Sequence, residues 1–298
     1  MAKMMNTSTV LVAGGSGQLG SLLVAALSAE PSQYRKILCL TRSVEKATRV
    51  LAAHGVKADG ERVVCVVCKD VGDAEALRNV FTEHGPISDV VSCLGASAKS
   101  DSAATSIAAG ATTLAQTAAA AGAKRFVYTS ATHVTRPYSP ITLLLNTIAG
   151  MVLATHATTE DELRKVCSAS TSMDLVVVRP GGLDHGSPGP GVRLGQGDTI
   201  NGSSVQRAQV AACITAALSP ENIPHRPTEG VTFEIVGDSS KDSEPTNWKA
   251  ALAPLQPDAP LQPIDHMQEH QRALTRVKCG AAALCVGIGA AAFALLRR

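Results

Sequence analysis

The stretch VLVAGGSGQLGSLLV, residues 10–24, decides the fold of this chain. It passes from an apolar, strand-like segment through a glycine-rich turn into a helix-like segment. The spacing of Gly14, Gly17 and Gly20 allows a tight turn in which backbone without side chains can approach a pyrophosphate. The N–H groups at the N-terminus of the following helix would then face that pyrophosphate. Such a turn also occurs for structural reasons alone. The strand before it and the amphipathic helix after it favour a dinucleotide site.

The composition limits the classes of protein that this chain can belong to. Its 298 residues carry a formal net charge of +2, so no overall basic charge suggests a nucleic-acid partner. Hydrophobic residues make up 45% of the chain and aromatic residues only 3%, which predicts a core of Ala, Val and Leu. We therefore expect an aliphatic α/β core and no aromatic platform for nucleic acid.

Short apolar runs alternate with helical patterns along most of the chain. Seven strands joined by helical crossovers predict one doubly wound, mostly parallel Rossmann sheet with helices on both faces, in a domain covering residues 1–236. The strands after the first are expected in RKILCL, ERVVCVVC, SDVVSCL, KRFVYTS, MDLVVVRP and VTFEIVG. Helices are expected at Val44 to His54, Asp73 to His84, Ser102 to Ala121, Ala157 to Ser168 and Val205 to Leu218.

The eight cysteines do not form the pattern of a disulfide framework. Several lie in strand-like apolar runs, which is typical of buried thiols in a reducing compartment. Cys65 and Cys68 have the spacing of a redox or zinc pair, but no second pair with that spacing exists. We expect no metal site.

The C-terminal part of the chain has a different texture. Residues 237–278 are rich in Pro and polar residues and predict a linker followed by a polar, helix-forming stretch. Residues 279–296 are uncharged and bounded by basic residues, and their length suits a transmembrane helix; a buried or partner-packed helix is the alternative. A single C-terminal span predicts a tail anchor with a cytosolic head, in the outer mitochondrial or endoplasmic reticulum membrane.

Several motifs occur in an order that resembles a known family. They are AGGSGQLG near the N-terminus, LTRS after the second strand, KDVGD after the third, SCLGAS after the fourth, AGAKRFVYTSAT at the fifth and VVVRPGGL at the sixth. Together they resemble the atypical short-chain dehydrogenase/reductases, in the NmrA-like or NAD(P)H-binding branch. The resemblance covers residues 8 to 236 and does not extend to the C-terminal segment.

This resemblance implies a cofactor site. Arg42 ends the second strand, where an arginine would hold the 2′-phosphate of NADP(H) and an acidic residue would hold the ribose of NAD(H). We expect NADP(H), with Lys46 assisting; a solvent-facing Arg42 and an Asp70 that only caps the next helix are the alternatives. By the resemblance, the cofactor residues are Gly14, Ser16, Gly17, Gln18, Leu19, Gly20, Arg42, Asp70, Val71, Leu94, Gly95, Pro180 and Gly181.

The catalytic residues depart from the family's usual pattern. Typical members use a Ser after the fifth strand together with a Tyr and a Lys four residues apart. Ser130 is present, but Val152 and His156 occupy the positions of the Tyr and the Lys. We consider Tyr138, His156 and His133 as substitutes.

The resemblance therefore leaves two functional interpretations open. One is an NADP(H) oxidoreductase acting on a small or lipophilic substrate, a carbonyl or quinone, as a homodimer or within a larger membrane assembly. The other is a non-catalytic NADPH sensor or scaffold subunit.

Overall fold

The computed structural model describes residues 8–30, 33–95, 101–185, 191–200, 204–238, 246–261 and 264–277. Strands and helices alternate along most of this part of the chain. The strands are β1 (Thr9–Ala13), β2 (Lys36–Thr41), β3 (Val63–Val67), β4 (Asp89–Ser92), β5 (Arg125–Thr129), β6 (Asp174–Pro180), β7 (Gly182–Asp184), β8 (Gly191–Gly195), β9 (Ser204–Gln206) and β10 (Gly230–Asp238). The helices are α1 (Gln18–Ala29), α2 (Val44–Ala53), α3 (Ala74–His84), α4 (Asp101–Ala120), α5 (Pro140–Ile148), α6 (Val152–Ala169), α7 (Arg207–Ala217), α8 (Trp248–Leu252) and α9, which covers residues 266–277.

The strands form an eight-stranded sheet in the order β3-β2-β1-β4-β5-β6-β10-β8. Seven of these strands are parallel, and β8 pairs with β10 in the antiparallel direction. The order reverses between β1 and β4, as in a Rossmann fold, so the predicted doubly wound sheet is confirmed. Strand β8 and the small parallel pair of β7 and β9 were not predicted from the sequence.

Side chains alternate between two cores because successive residues of a strand point to opposite faces. On one face, Val10 and Val12 of β1 pack with α1, α2 and α7. On the other face, Leu11 and Ala13 pack with α3, α4 and α6. Both cores are mainly aliphatic, as the low aromatic content predicts.

The segment after β5 differs most from the sequence-based expectation. Helix α5 was not predicted, and α6 begins at Val152 rather than at Ala157. Gly150 and Met151 adopt left-handed backbone angles, with φ of 63° and 58°, and separate the two helices. Because α6 starts early, His156 lies inside the helix, one turn before Glu160.

The described residues beyond β10 pack against the Rossmann unit. Leu252 and Ala273 are buried, and the backbone N–H of Thr232 in β10 donates to Asp258 over 2.8 Å. The polar stretch predicted to be helical forms α9, where Asp265 caps the backbone N–H of Gln268 over 2.9 Å.

The predicted transmembrane helix, residues 279–296, lies outside the described residues. Within the described ranges, no single helix has the length and apolar composition to cross a membrane. The sharply bent pair of α5 and α6 meets those criteria jointly.

Candidate functional site

The glycine turn joins β1 to α1 as the sequence predicts. Gly14 has φ of 76°, and a Cβ there would lie 2.8 Å from the carbonyl oxygen of Cys93. A side chain at Gly20 would meet the backbone of Gly14, with its Cβ 2.8 Å from the Gly14 carbonyl carbon. Gly17 precedes α1 without a side-chain cap. The turn therefore keeps bare backbone at the first turn of α1, the arrangement that receives a pyrophosphate.

Three cationic side chains gather where β2 ends. Arg42 and Lys46 are exposed, and Lys69 reaches across from the loop after β3 to donate to the Arg42 carbonyl over 2.8 Å. The hydroxyl of Thr41 donates to Ser16 over 2.8 Å, which ties this group to the glycine turn. Such a cluster of cations suits a phosphate group.

Asp70 does not cap the next helix, so that alternative is wrong. The N-cap of α3 is Asp73, whose carboxylate accepts from the backbone N–H groups of Glu75 and Ala76. Asp70 instead accepts from the N–H of Gly72 over 2.8 Å. Its side chain is thus held in the loop after β3, at the edge of the sheet where the glycine turn lies.

One cleft of about 410 Å³ joins these groups. The carboxyl ends of parallel strands meet at one edge of the sheet, so the loops that follow β2, β3 and β4 come together there. The loops after β2 and β3 form one wall of the cleft, and the loop after β4 forms the other. Of the predicted cofactor residues, the cleft is lined by Gly14, Ser16, Gly17, Arg42, Asp70, Val71, Leu94 and Gly95, together with Thr41, Lys46, Lys69, Cys93 and Gly110.

The remaining predicted cofactor residues lie around this cleft or apart from it. Gln18, Leu19 and Gly20 form the first turn of α1, where Gln18 is exposed and Leu19 packs into the core. Pro180 and Gly181 are buried where β6 ends and do not line the cleft. The N–H of Gly181 donates to the Ile235 carbonyl over 2.9 Å.

Ser130 belongs to a buried charged group beside α6. Its hydroxyl donates to Glu160 over 2.5 Å, and Arg179 of β6 holds the same carboxylate with two hydrogen bonds of 3.0 and 2.6 Å. Burial by itself would raise the pKa of Glu160, but the charge and hydrogen bonds of Arg179 hold it below its ordinary value. An ionised carboxylate only accepts hydrogen bonds, so the Ser130 proton points at Glu160 and its lone pairs face elsewhere.

His156 faces the sheet rather than solvent. Its Nδ1 lies 2.8 Å from the hydroxyl of Tyr128, a fully buried residue of β5. Burial lowers the pKa of His156 below the ordinary histidine range, although Glu160 opposes this shift. Burial therefore favours the neutral form of this imidazole in the folded protein.

We expect this neutral histidine to make the stability of the protein depend on pH. The unfolded chain takes up a proton on histidine near pH 6.5, whereas the folded chain does so only at a lower pH. The contribution of His156 is therefore complete above about pH 6.5 and declines as the pH falls towards the lowered native pKa. Urea unfolding between about pH 7 and pH 5 should show a shallower decline for His156→Gln than for the wild type. The exposed His185 provides the control, because His185→Gln should keep the wild-type decline; equal slopes for all three proteins would contradict the assignment.

Tyr138 and His133 occupy positions apart from the Ser130 group. The Tyr138 side chain is 47% exposed, and its hydroxyl accepts from Arg276 of α9 over 3.2 Å. His133 is buried with φ of 66°, and its backbone N–H donates to Asp198 over 2.6 Å. Neither residue forms a hydrogen bond to Ser130 or Glu160 in the part of the chain that the structure describes.

Three residues of these groups, Lys69, Glu160 and Tyr128, were not predicted from the sequence. Lys69 directly precedes Asp70. Its proximity to Arg42 depends on β3 lying beside β2, which the sequence did not specify. Glu160 lies one helical turn after His156, so the helix period was a usable signal. Tyr128 carried no signal beyond its position in a strand. Within the described residues, no group of three or more His, Cys, Asp or Glu side chains is arranged to hold a metal ion.

The fold and the glycine cleft define a dinucleotide-binding Rossmann protein. A family model described as NAD(P)H-binding matches residues 14–221, and the chain belongs to that family. The predicted class, an atypical short-chain dehydrogenase/reductase of the NAD(P)H-binding branch, and the predicted nicotinamide cofactor are thereby confirmed. No curated protein gives a significant match to the sequence.

Solved structures of low sequence identity share the fold. The oxidoreductase ylbE from Lactococcus lactis has a TM-score of 0.62 at 19% identity, with 82% of this chain and 94% of that chain covered. ChuY, an anaerobillin reductase from Escherichia coli O157:H7, has a TM-score of 0.56 at 20% identity, covering 79% and 99%. A wide-type short-chain dehydrogenase/reductase from Veillonella parvula in complex with NADP has a TM-score of 0.55 at 17% identity, covering 80% and 99%. At these identities the likeness shows the fold alone.

Proposed function

We propose that this chain binds NADPH in the glycine cleft and is an oxidoreductase that transfers hydride to a small or lipophilic acceptor, a carbonyl compound or a quinone. The observation that carries the proposal is the single cleft that joins the glycine turn to Arg42, Lys46 and Lys69. Three cations at the end of β2 favour a cofactor with a 2′-phosphate over one with a free ribose hydroxyl. The complex of the Veillonella parvula protein with NADP agrees with this preference.

The proposed roles of the cofactor residues follow from their places in the cleft. The first turn of α1 would receive the pyrophosphate, with Ser16 and Gly17 beside it. Asp70 and Val71 would border the adenine, and Leu94 and Gly95 the adjoining ribose and diphosphate. For Pro180 and Gly181 we propose the nicotinamide side, on the likeness of the loop after β6 to that of the family.

The chemistry needs little from the protein beyond positioning. Bound NADPH supplies the hydride from C4 of its nicotinamide, and the acceptor takes a proton from a weak acid or from water. Ser130 is suited to accept a hydrogen bond, because its own proton is held by Glu160. We therefore propose that Ser130 orients an N–H or O–H group of the cofactor or substrate, and not a carbonyl oxygen as the serine of typical members does.

A second function is favoured by the same group of residues. The Tyr and Lys of typical members are absent, and both His156 and Ser130 are already engaged in hydrogen bonds within the protein. A protein with these features suits a non-catalytic NADPH sensor or scaffold, whose partner would bind with an affinity that changes with the nucleotide.

Membrane attachment belongs to the proposal. We propose that residues 279–296 anchor the chain with the Rossmann unit in the cytosol, at the outer mitochondrial or endoplasmic reticulum membrane. An anchor would suit a lipophilic acceptor. A homodimer or a larger membrane assembly is proposed on the same basis.

A turnover assay separates the two functions. NADPH absorbance is followed in the presence of the full-length protein and a panel of quinones and aldehydes, while NADPH binding is measured on the same sample. Consumption of NADPH that disappears in a Gly20→Val variant would establish an oxidoreductase. Tight binding without consumption for any acceptor would exclude the reductase and favour the sensor.

A further inference from the structure

Helix α5 buries polar side chains and exposes aliphatic ones. Leu145 packs inward against Val134 and Leu153. The polar residues Thr142 and Asn146 are 0% and 4% exposed, whereas Ile141, Leu144 and Ile148, three of the five large aliphatic residues of the helix, are 41%, 54% and 64% exposed. These three aliphatic residues, hereafter the α5 face, are spaced i, i+3 and i+7 and share one side of the helix. A helix on the surface of a soluble domain normally has the reverse arrangement.

The inward polar residues show that this orientation is specified by the protein. The Thr142 hydroxyl donates to the His133 carbonyl over 3.1 Å. Asn146 bonds to His270 of α9 over 2.7 Å and accepts from the N–H of Leu153 over 3.0 Å. Turning the helix over would break these buried hydrogen bonds and leave buried polar groups without partners, which is unfavourable. The α5 face is therefore held outward.

Helix α9 runs along α5, and its end lies near the N-terminal end of α5. His270 contacts Asn146 in the second half of α5, while Arg276 lies against Tyr138, just before α5 begins. The two helices are thus antiparallel, and α9 brings residue 277 to the N-terminal end of α5. In the sequence, the uncharged stretch 279–296 begins two residues later.

The composition around the α5 face matches a lipid interface. From Pro137 to Thr159 the sequence contains no Asp, Glu, Lys or Arg. At the rim, the Arg276 guanidinium lies 5.6 Å from the centre of the Tyr138 ring. Aromatic and basic side chains bordering an apolar face are typical of helices that lie in the headgroup region of a bilayer.

Two other occupants fit the face less well. Three aliphatic side chains on a nine-residue helix are few for a stable dimer, which buries about 800 Å² on each partner. The chain's own residues 279–296 would extend about 27 Å as a helix, about twice the length of α5, and would leave much of their apolar surface uncovered.

We propose that the α5 face docks onto the surface of a phospholipid bilayer, lying in the interface beside the point where the C-terminal segment enters. This inference rests on the membrane attachment proposed above and adds a second contact to it. The chain reaches α5 ten residues after Ser130, so docking holds the carboxyl edge of the sheet near the lipid. An acceptor dissolved in the bilayer would then reach the site without crossing bulk water.

Quenching by brominated phospholipids tests this contact in the full-length chain. Trp248 is the only tryptophan, so a Trp248→Phe chain carrying Leu144→Trp reports on the α5 face alone. The matched control is Val67→Trp in the same background, because Val67 is also an exposed aliphatic residue, 48% exposed at the end of β3. Vesicles contain phosphatidylcholine and phosphatidylserine with bromines near the headgroup end of the acyl chains. We expect the bromines to quench the emission of Leu144→Trp and to leave the emission of Val67→Trp unchanged.

Additional variants show whether the quenching reports on the whole α5 face or only on residue 144. Ile148→Trp should be quenched like Leu144→Trp, and adding Ile141→Asp to the Leu144→Trp chain should restore emission while NADPH binding persists. Flotation of the full-length chain with the vesicles is measured in parallel. Flotation without quenching at residue 144 would overturn the docking of α5 but keep the C-terminal anchor; absence of flotation would overturn both.

Emission without lipid distinguishes the other occupants. A blue-shifted emission of Leu144→Trp that depends on protein concentration would show that a second copy covers the face. A blue shift independent of concentration would show that the chain's own C-terminal segment covers it. Either result would overturn the proposal.

Discussion

Replacing Gly20 by valine is expected to abolish NADPH binding. The new Cβ would lie 2.8 Å from the Gly14 carbonyl carbon and 2.9 Å from the Gly15 Cα, and none of these backbone atoms can rotate away as a side chain can. Either α1 shifts away from β1 or the turn opens, and both movements displace the N–H groups that would face the pyrophosphate. We expect the Kd for NADPH to rise at least about 100-fold, which corresponds to about 2.8 kcal/mol.

Calorimetric titration of the folded variant measures this effect. Circular dichroism and a urea melt show whether the variant keeps the fold, because the collision also strains the packing of α1. A variant that is folded and binds NADPH as the wild type does would contradict the placement of the pyrophosphate at this turn.

Replacing Glu160 by alanine is expected to cause the largest loss of stability among single side-chain deletions in the site. The carboxylate accepts from Arg179, Ser130 and Arg164 while being 1% exposed, and Arg179 is itself buried. Removing this carboxylate leaves the buried Arg179 with a longer contact to Glu234, 3.7 Å away, and breaking a buried pair in this way costs about 3–5 kcal/mol. Urea unfolding at pH 7 measures the change.

Another glutamate on α6 provides the control. Glu162 pairs with Lys165 on the exposed side of the helix, where ion pairs are screened by water, so Glu162→Ala should leave the urea midpoint almost unchanged. Equal midpoints for the two variants would contradict the role given to Glu160.

The same residue predicts a dependence on acid. Because the native pKa of Glu160 is lowered, its stabilising contribution is complete above the pKa of an unfolded glutamate and is lost as the pH falls through the lower native value. A Glu160→Gln variant should therefore lose less stability than the wild type on acidification. A parallel decline in both proteins would place the acid sensitivity elsewhere.

The parts of the site that lie in one loop or at one strand end were predictable. The glycine turn is a local feature, and its required glycines are visible as residues. Arg42, Asp70 and Leu94 could be brought together because neighbouring parallel strands end at one edge of the sheet. The alternative in which Asp70 caps the helix after β3 stayed open because Asp70 and Asp73 are both plausible N-caps by residue type, and only the backbone geometry distinguishes them.

The buried groups beside α6 were not predictable in the same way. Glu160 and Arg179 are 19 residues apart, and Tyr128 and His156 are 28 apart, on elements whose contact depends on how α6 is rotated about its axis. Helix α5 departs more directly from the usual rule, since Ile141, Leu144 and Ile148 point outward while Thr142 and Asn146 are buried. Asn146 bonds to His270 of α9, 124 residues away, and no local pattern reports that partner.

The most direct test of the NADPH site is calorimetric titration of the wild type, Arg42→Ala and Arg35→Ala with NADPH and NADH. Arg35 is an exposed arginine just before the opposite end of β2, so it controls for the loss of a positive charge. A hydrogen bond to a charged group contributes about 1.5–3 kcal/mol, so Arg42→Ala should weaken NADPH binding about 10- to 100-fold. Arg42→Ala should bind NADH as the wild type does. Arg35→Ala should bind both NADPH and NADH with wild-type affinity. Equal affinities of the wild type for the two cofactors, or no binding of either, would contradict the account.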